Sequence, residues 1–166
     1  MAVLVVTGGG TQALADLLAV PGASKTVLEA LVPYSDPALA EFLRTAPMQA
    51  VSVETAAAMA QAAYRRAQQL RDQVTTPVIG LACTATLATD RPKKGDHRAH
   101  VGLCTANSTI VYSLTLTKGA RDRAGEERVV SNLVLNVLAE GCDQPGLPDL
   151  GLLPQERIER TLVGES

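Results

Sequence analysis

The first eighteen residues constrain this chain more than any other stretch. Ala2–Val6 is an unbroken apolar run rich in valine, Thr7-Gly8-Gly9-Gly10-Thr11 cuts it, and Leu14, Leu17 and Leu18 follow at helical spacing. A strand that is apolar at every position is buried on both faces, the habit of parallel strands covered by helices. Glycines at the junction admit positive φ and let a ligand approach the backbone. The first amides of the helix beyond are unpaired, and its dipole end is positive. Gly8, Gly9, Gly10 and Thr11 are therefore candidate binders of a small anionic, nucleotide-like ligand. No Gly-Lys-Ser/Thr follows and the dinucleotide fingerprint is incomplete, so neither standard phosphate motif is present. A tight turn with no ligand would call for the same residues.

Further along, the helix stops at Val20-Pro21-Gly22 and Thr26–Val32 reads as a second strand. Asp36-Pro37 opens a helix, with Asp36 as the expected cap. Ser52 caps a longer, alanine-rich helix to about Leu70, whose outer face carries Arg65 and Arg66. Pro77–Thr84 is another apolar strand, residues 86–98 a polar loop, and Val101–Thr105 and Ile110–Leu116 a strand pair. A helix over 121–140 closes the domain. Alternating strands and helices predict an α/β protein, a three-layer α/β/α sandwich. The domain is expected over residues 1–142. Residues 143–166, with Pro145, Pro148 and Pro154, read as an extended tail with a short helix at 155–162.

Composition narrows the partners. A net charge of −2 and 2% aromatic residues speak against nucleic acid, which needs a basic excess and stacking platforms. No apolar stretch reaches a bilayer span, and the N-terminus lacks a basic leader, so no membrane partner is expected. Cys83, Cys104 and Cys142 have no metal-ligand spacing and read as reduced thiols of a cytoplasmic protein.

Three other clusters invite a functional reading. Asp96-His97-Arg98-Ala99-His100 offers two imidazoles, but on an extended segment positions 97 and 100 face opposite ways, so no metal site is expected. The cations Lys118, Arg121 and Arg123 stand where a strand meets a helix, and one of them can grip a phosphate or simply be solvated. Tyr34-Ser35 ends a strand, lining a pocket or anchoring the next helix.

Taken together the pieces resemble the C-terminal domain of the competence/damage-inducible CinA family, the nicotinamide-nucleotide amidohydrolases. The similar stretches are the glycine turn with Val20-Pro-Gly-Ala-Ser24, Val32-Pro-Tyr-Ser35, Val51-Ser-Val-Glu-Thr-Ala56, Leu81-Ala-Cys-Thr84 and Val101-Gly-Leu103. They cover about residues 2–142. Gly22–Glu29 and Arg91–Arg98 differ from the common pattern and mark a divergent branch.

The resemblance implies an oligomer-forming sandwich that turns the amide of nicotinamide mononucleotide into the acid and ammonia, without a cofactor. The serine of the family's Glu-Ser-Cys-Thr-Gly-Gly motif falls on Thr7 and its glutamate on Val6. The tyrosine of Tyr-Ser-Asn-x-x-Lys falls on Tyr34, with Ser35 beside it, but the lysine falls on Leu39. Thr84 matches a ligand-facing threonine and Arg121 the late phosphate-facing arginine. Thr7 is then the nucleophile, and Lys25 or Tyr34 activates it, since a hydroxyl needs a neighbouring base. The loss of both charged motif positions leaves a second reading, a silent anion-binding or interaction domain on the same fold.

Overall fold

The computed structural model describes residues 1–145 and 149–165, so Pro148 of the expected tail lies outside the described residues. Six strands form one sheet: β1 (Ala2–Thr7), β2 (Val27–Leu31), β3 (Ile79–Thr86), β4 (His97–Cys104), β5 (Ser108–Leu116) and β6 (Ile158–Glu165). Their order is β2-β1-β3-β4-β5-β6, parallel from β2 to β3 and antiparallel beyond. Four helices cover it: α1 (Thr11–Leu18), α2 (Asp36–Leu43), α3 (Val53–Leu70) and α4 (Arg123–Gly141). Among the described residues no helix is long and apolar enough to cross a membrane.

β1 is buried at all six positions because it alternates between two cores. Ala2, Leu4 and Val6 face α1 and α4, while Val3 and Val5 face α2 and α3. That alternation makes the three layers expected from the sequence. α3 lies directly on the sheet: a Cβ at Gly80 would stand 2.2 Å from the Ala60 carbonyl oxygen, and one at Gly102 2.6 Å from that of Ala56. Small residues on both sides let the helix come this close, which suits a core poor in aromatics.

Two local expectations change. Ser35 caps α2, its Oγ accepting from the Ala38 amide at 3.2 Å, and Asp36 sits in the first turn. The tail does not form a short helix at 155–162; it returns as β6, pairing with β5 from Ile158 to Glu165. Alternate residues Ile158, Arg160 and Leu162 suit either structure, and only the free edge of β5 decides for a strand.

A buried ion pair ties the tail down. The Arg121 guanidinium grips Glu156 at 2.9 and 2.7 Å, and Glu156 also accepts from the Thr117 and Leu153 amides. Its side chain is 1% exposed. Arg121 is the main reason the Glu156 carboxyl is held down at about 2 instead of 4.5. A depressed carboxyl stabilises the fold above its unfolded value, and that stability drains away as pH falls toward the folded one. Thermal melts are therefore expected to fall steeply from about pH 4.5 to 2, losing on the order of 2–3 kcal/mol that Glu156→Gln has already lost. Parallel pH profiles for the two proteins would refute the assignment.

Candidate functional site

β1 leads by way of α1 to β2 on one side, while the chain later returns to β3 on the other. The carboxyl ends of β1 and β3 thus flank a topological switch point, where open α/β sheets leave a crevice. Thr7 and Thr84 end the two strands side by side, in parallel register. The register continues from Thr84 to His100 on β4 and to Ser113 on β5. These four polar residues form one row across the α3 face of the sheet.

The row is ordered by hydrogen bonds. The Thr84 hydroxyl, fully buried, donates to the Ala50 carbonyl at 2.7 Å. His100 Nδ1 lies 2.7 Å from Ser113 Oγ. Burial, and then the nearby Arg98, push the His100 pKa below its ordinary value, with Glu54 opposing. The imidazole is neutral at pH 7, the state a general base requires. One step further out, Thr86 and Arg98 are paired across β3 and β4, and Lys93 Nζ reaches the Thr86 hydroxyl at 2.8 Å.

The glycine turn is built differently from its sequence reading. Gly8 and Gly10 take positive φ, 76° and 94°, as a strand-to-helix turn needs. Of the amides expected to await a ligand, that of Gly10 already holds an anion, the carboxylate of Glu127 from α4. It accepts from the Gly10 amide at 2.9 and 3.0 Å and from the Gln12 amide at 3.0 Å. Ser131 Oγ donates to the same carboxylate at 3.1 Å and accepts from the Ala13 amide, and the Thr11 hydroxyl stands 3.5 Å away. Gly9 and Gly10 are buried against β3 and α4. The positive end of α1 is satisfied from within.

No protein-family model matches the chain, and neither does any curated protein sequence. Solved structures do. A CinA superfamily protein of Klebsiella pneumoniae superposes with a TM-score of 0.63 at 14% identity, over 83% of this chain and 84% of that one. The competence/damage-inducible protein CihA of Agrobacterium tumefaciens gives 0.60 at 18%, over 82% and 83%. A CinA superfamily protein of Escherichia coli gives 0.59 at 19%, over 84% and 78%. The chain has the CinA-superfamily fold.

On that CinA-like fold the remaining residues singled out in the sequence part company. Lys25 is exposed on the 3-10 turn Ala23–Lys25 before β2, at the far end of the sheet. Ala2 pairs with Val27, so Thr7 lies five residues further on, about 16 Å along the strand at 3.3 Å per residue. Lys25 cannot serve Thr7 as a base. Tyr34 stands at the correct end but is 66% exposed, and Ser35 is engaged as a helix cap. Leu39 belongs to the core under α2. Arg121 is spent on Glu156, and the arginine at the glycine turn is Arg123, whose guanidinium donates to the Gly8 and Ala88 carbonyls at 3.0 and 3.1 Å.

Arg123 is one of the three cations the sequence offered as a phosphate grip, whereas Glu127 reads there only as a charge at a helix start. His100 was grouped with His97, yet the two do face opposite ways: His97 Nδ1 meets the buried Glu126 at 2.9 Å on the α4 face. Period-two alternation separates them, and the cross-strand register that joins His100 to Thr84 is not written in any local motif. Among the described residues no cluster could hold a metal ion.

Proposed function

We propose that this chain is a CinA-like amidohydrolase that cleaves the carboxamide of nicotinamide mononucleotide, or of a related small amide, to the acid and ammonia. One observation carries the reading: the row Thr7–Thr84–His100 lies at the switch point of a CinA-like sheet and includes a neutral imidazole. In this reading Thr7 Oγ1 attacks the carbonyl carbon and its proton passes to His100, which takes the place of Lys25. His100 is two strands away, about 10 Å between backbones, so one bound water completes the path. The nitrogen leaves as ammonia after taking that proton, and a second water hydrolyses the threonyl ester.

Ammonia release from nicotinamide mononucleotide by the purified protein tests the proposal. Thr7→Ala and His100→Gln should each lower the rate by about 10²-fold or more, whereas Lys25→Gln should leave it unchanged. The rate should fall with acid only below the usual imidazole range, because His100 protonates late. Absence of ammonia from the unmodified protein ends the reading for this substrate. A thermal shift with the mononucleotide, without ammonia, would mark a binding domain instead.

A further inference from the structure

The charges at the carboxyl end of β1 and β3 are unevenly matched. Elsewhere arginines pair with carboxylates: Arg66 with Glu29, Arg121 with Glu156 and Arg128 with Asp16, each at 2.7–2.8 Å. Around the switch point Lys93, Arg98 and Arg123 make no ion pair among the described residues. Each is held by neutral oxygens. Lys93 Nζ donates to Thr86 Oγ1 at 2.8 Å, and Arg98 donates to the Val51 carbonyl at 3.0 Å. Arg123 is fixed by the Gly8 and Ala88 carbonyls. The backbone of Lys93 is itself pinned, its carbonyl accepting from Lys118 Nζ at 2.8 Å.

Neutral acceptors set the direction of these side chains without cancelling their charge. A cation aimed this way keeps its field for something else. Thr86 and Arg98 are direct cross-strand partners and Lys93 Nζ stands on the Thr86 hydroxyl, so the three residues meet at the carboxyl end of β3, close to Thr7 and Thr84. The charges strain against one another. Lys93 has its pKa pulled down, first by burial and then by Arg123, while Glu126 beneath it offsets part of this. Glu126 also accepts from the Ala88 amide and meets His97, so Lys93 does not have that carboxylate to itself.

We propose that Lys93, Thr86 and Arg98 form a receptor for a phosphate monoester, placed beside the threonine row and separate from the glycine turn. A phosphate dianion takes one charge-assisted bond from the ammonium and two from the guanidinium, geometry that suits both groups. This inference rests on the reading above only for the nucleoside that carries the phosphate. It also explains why Glu127 can fill the α1 amides at no loss of ligand charge: the ligand's anion is held elsewhere.

Equilibrium titration of the full chain with inorganic phosphate, nicotinamide mononucleotide and nicotinamide riboside tests it, with ammonia followed separately. The mononucleotide should bind, phosphate should compete with it, and the riboside should bind more weakly. Lys93→Gln, which keeps a donor for Thr86, and Arg98→Gln should each weaken the mononucleotide by about tenfold or more. Neither should alter riboside affinity, and Arg66→Gln, remote and paired with Glu29, should change nothing. If Arg98→Gln does not fold, Lys93→Gln alone decides. Variants that bind the mononucleotide as the unmodified chain does overturn the receptor, as does failure of that chain to bind either phosphate compound. Weakened binding in the variants with no ammonia from any protein upholds the receptor and removes only the hydrolase. Binding of inorganic phosphate that Lys93→Gln and Arg98→Gln weaken, without mononucleotide binding, upholds the anion site and removes the nucleotide.

Discussion

Gly8→Ala is expected to abolish the native fold, or to leave it at least about 4 kcal/mol less stable. Gly8 has a φ of 76°, and a Cβ built there lies 1.9 Å from the carbonyl oxygen of Ala85. The left-handed conformation alone costs an alanine about 1–2 kcal/mol. The clash costs more, because the obstacle is backbone of the central strand β3 and has no rotamer to escape into. Native stability of about 5–15 kcal/mol leaves little after such a loss. Gly22→Ala is the matching control: φ is 85°, but nothing lies within 4 Å, so only the conformational cost applies. Urea denaturation of the two variants should differ by several kcal/mol. Similar midpoints would show that the turn is not packed on β3 as described.

Glu126→Ala is the second large effect, expected at about 3–5 kcal/mol. Glu126 is fully buried, accepts from the Ala88 amide at 2.7 Å and meets His97 Nδ1 at 2.9 Å. Removing it strands a buried imidazole and a half-buried amide together, and the imidazole has been taken out of water already. Glu126→Gln should cost less, since its carbonyl oxygen still accepts from Ala88. Hydrogen exchange adds a local readout, because the Ala88 amide should lose protection in Glu126→Ala well before the β1 amides do. A loss under about 1 kcal/mol would mean that the pair is not the anchor of the loop over 87–96.

These effects bear on function because one short region carries both. The turn at Gly8, the loop anchored by Glu126 and the cations Lys93 and Arg98 surround the same switch point. The α4 face of that region is closed by carboxylates that satisfy amides and an imidazole. The α3 face keeps hydroxyls, one neutral imidazole and uncancelled positive charge. The proposed ligand, with an amide at one end and a phosphate at the other, would be tested against the second face and not the first.

Much of this architecture was legible in the order of residues. Burial of Ala2–Val6 on both faces, the stop at Val20-Pro21-Gly22, the Ser52 cap and the alanine-rich helix after it are all local patterns. Local patterns survive because they depend on dihedral preference and on period, which neighbours in the chain set. The three layers follow from their alternation.

Distance along the chain marks where such reading stops. Only the packing of α4 against α1 puts Glu127 on amides more than a hundred residues away, and only the free edge of β5 turns residues 158–165 into a strand. Strand register, a property of paired backbones, carries Lys25 to the end of the sheet away from Thr7 and brings His100 beside Thr84. The sequence by itself determined which residues could turn, cap and hide from water. Tertiary structure decided which charges were paired with an opposite charge and which were held by neutral oxygens, because Coulomb and hydrogen-bond partners are chosen by proximity in space.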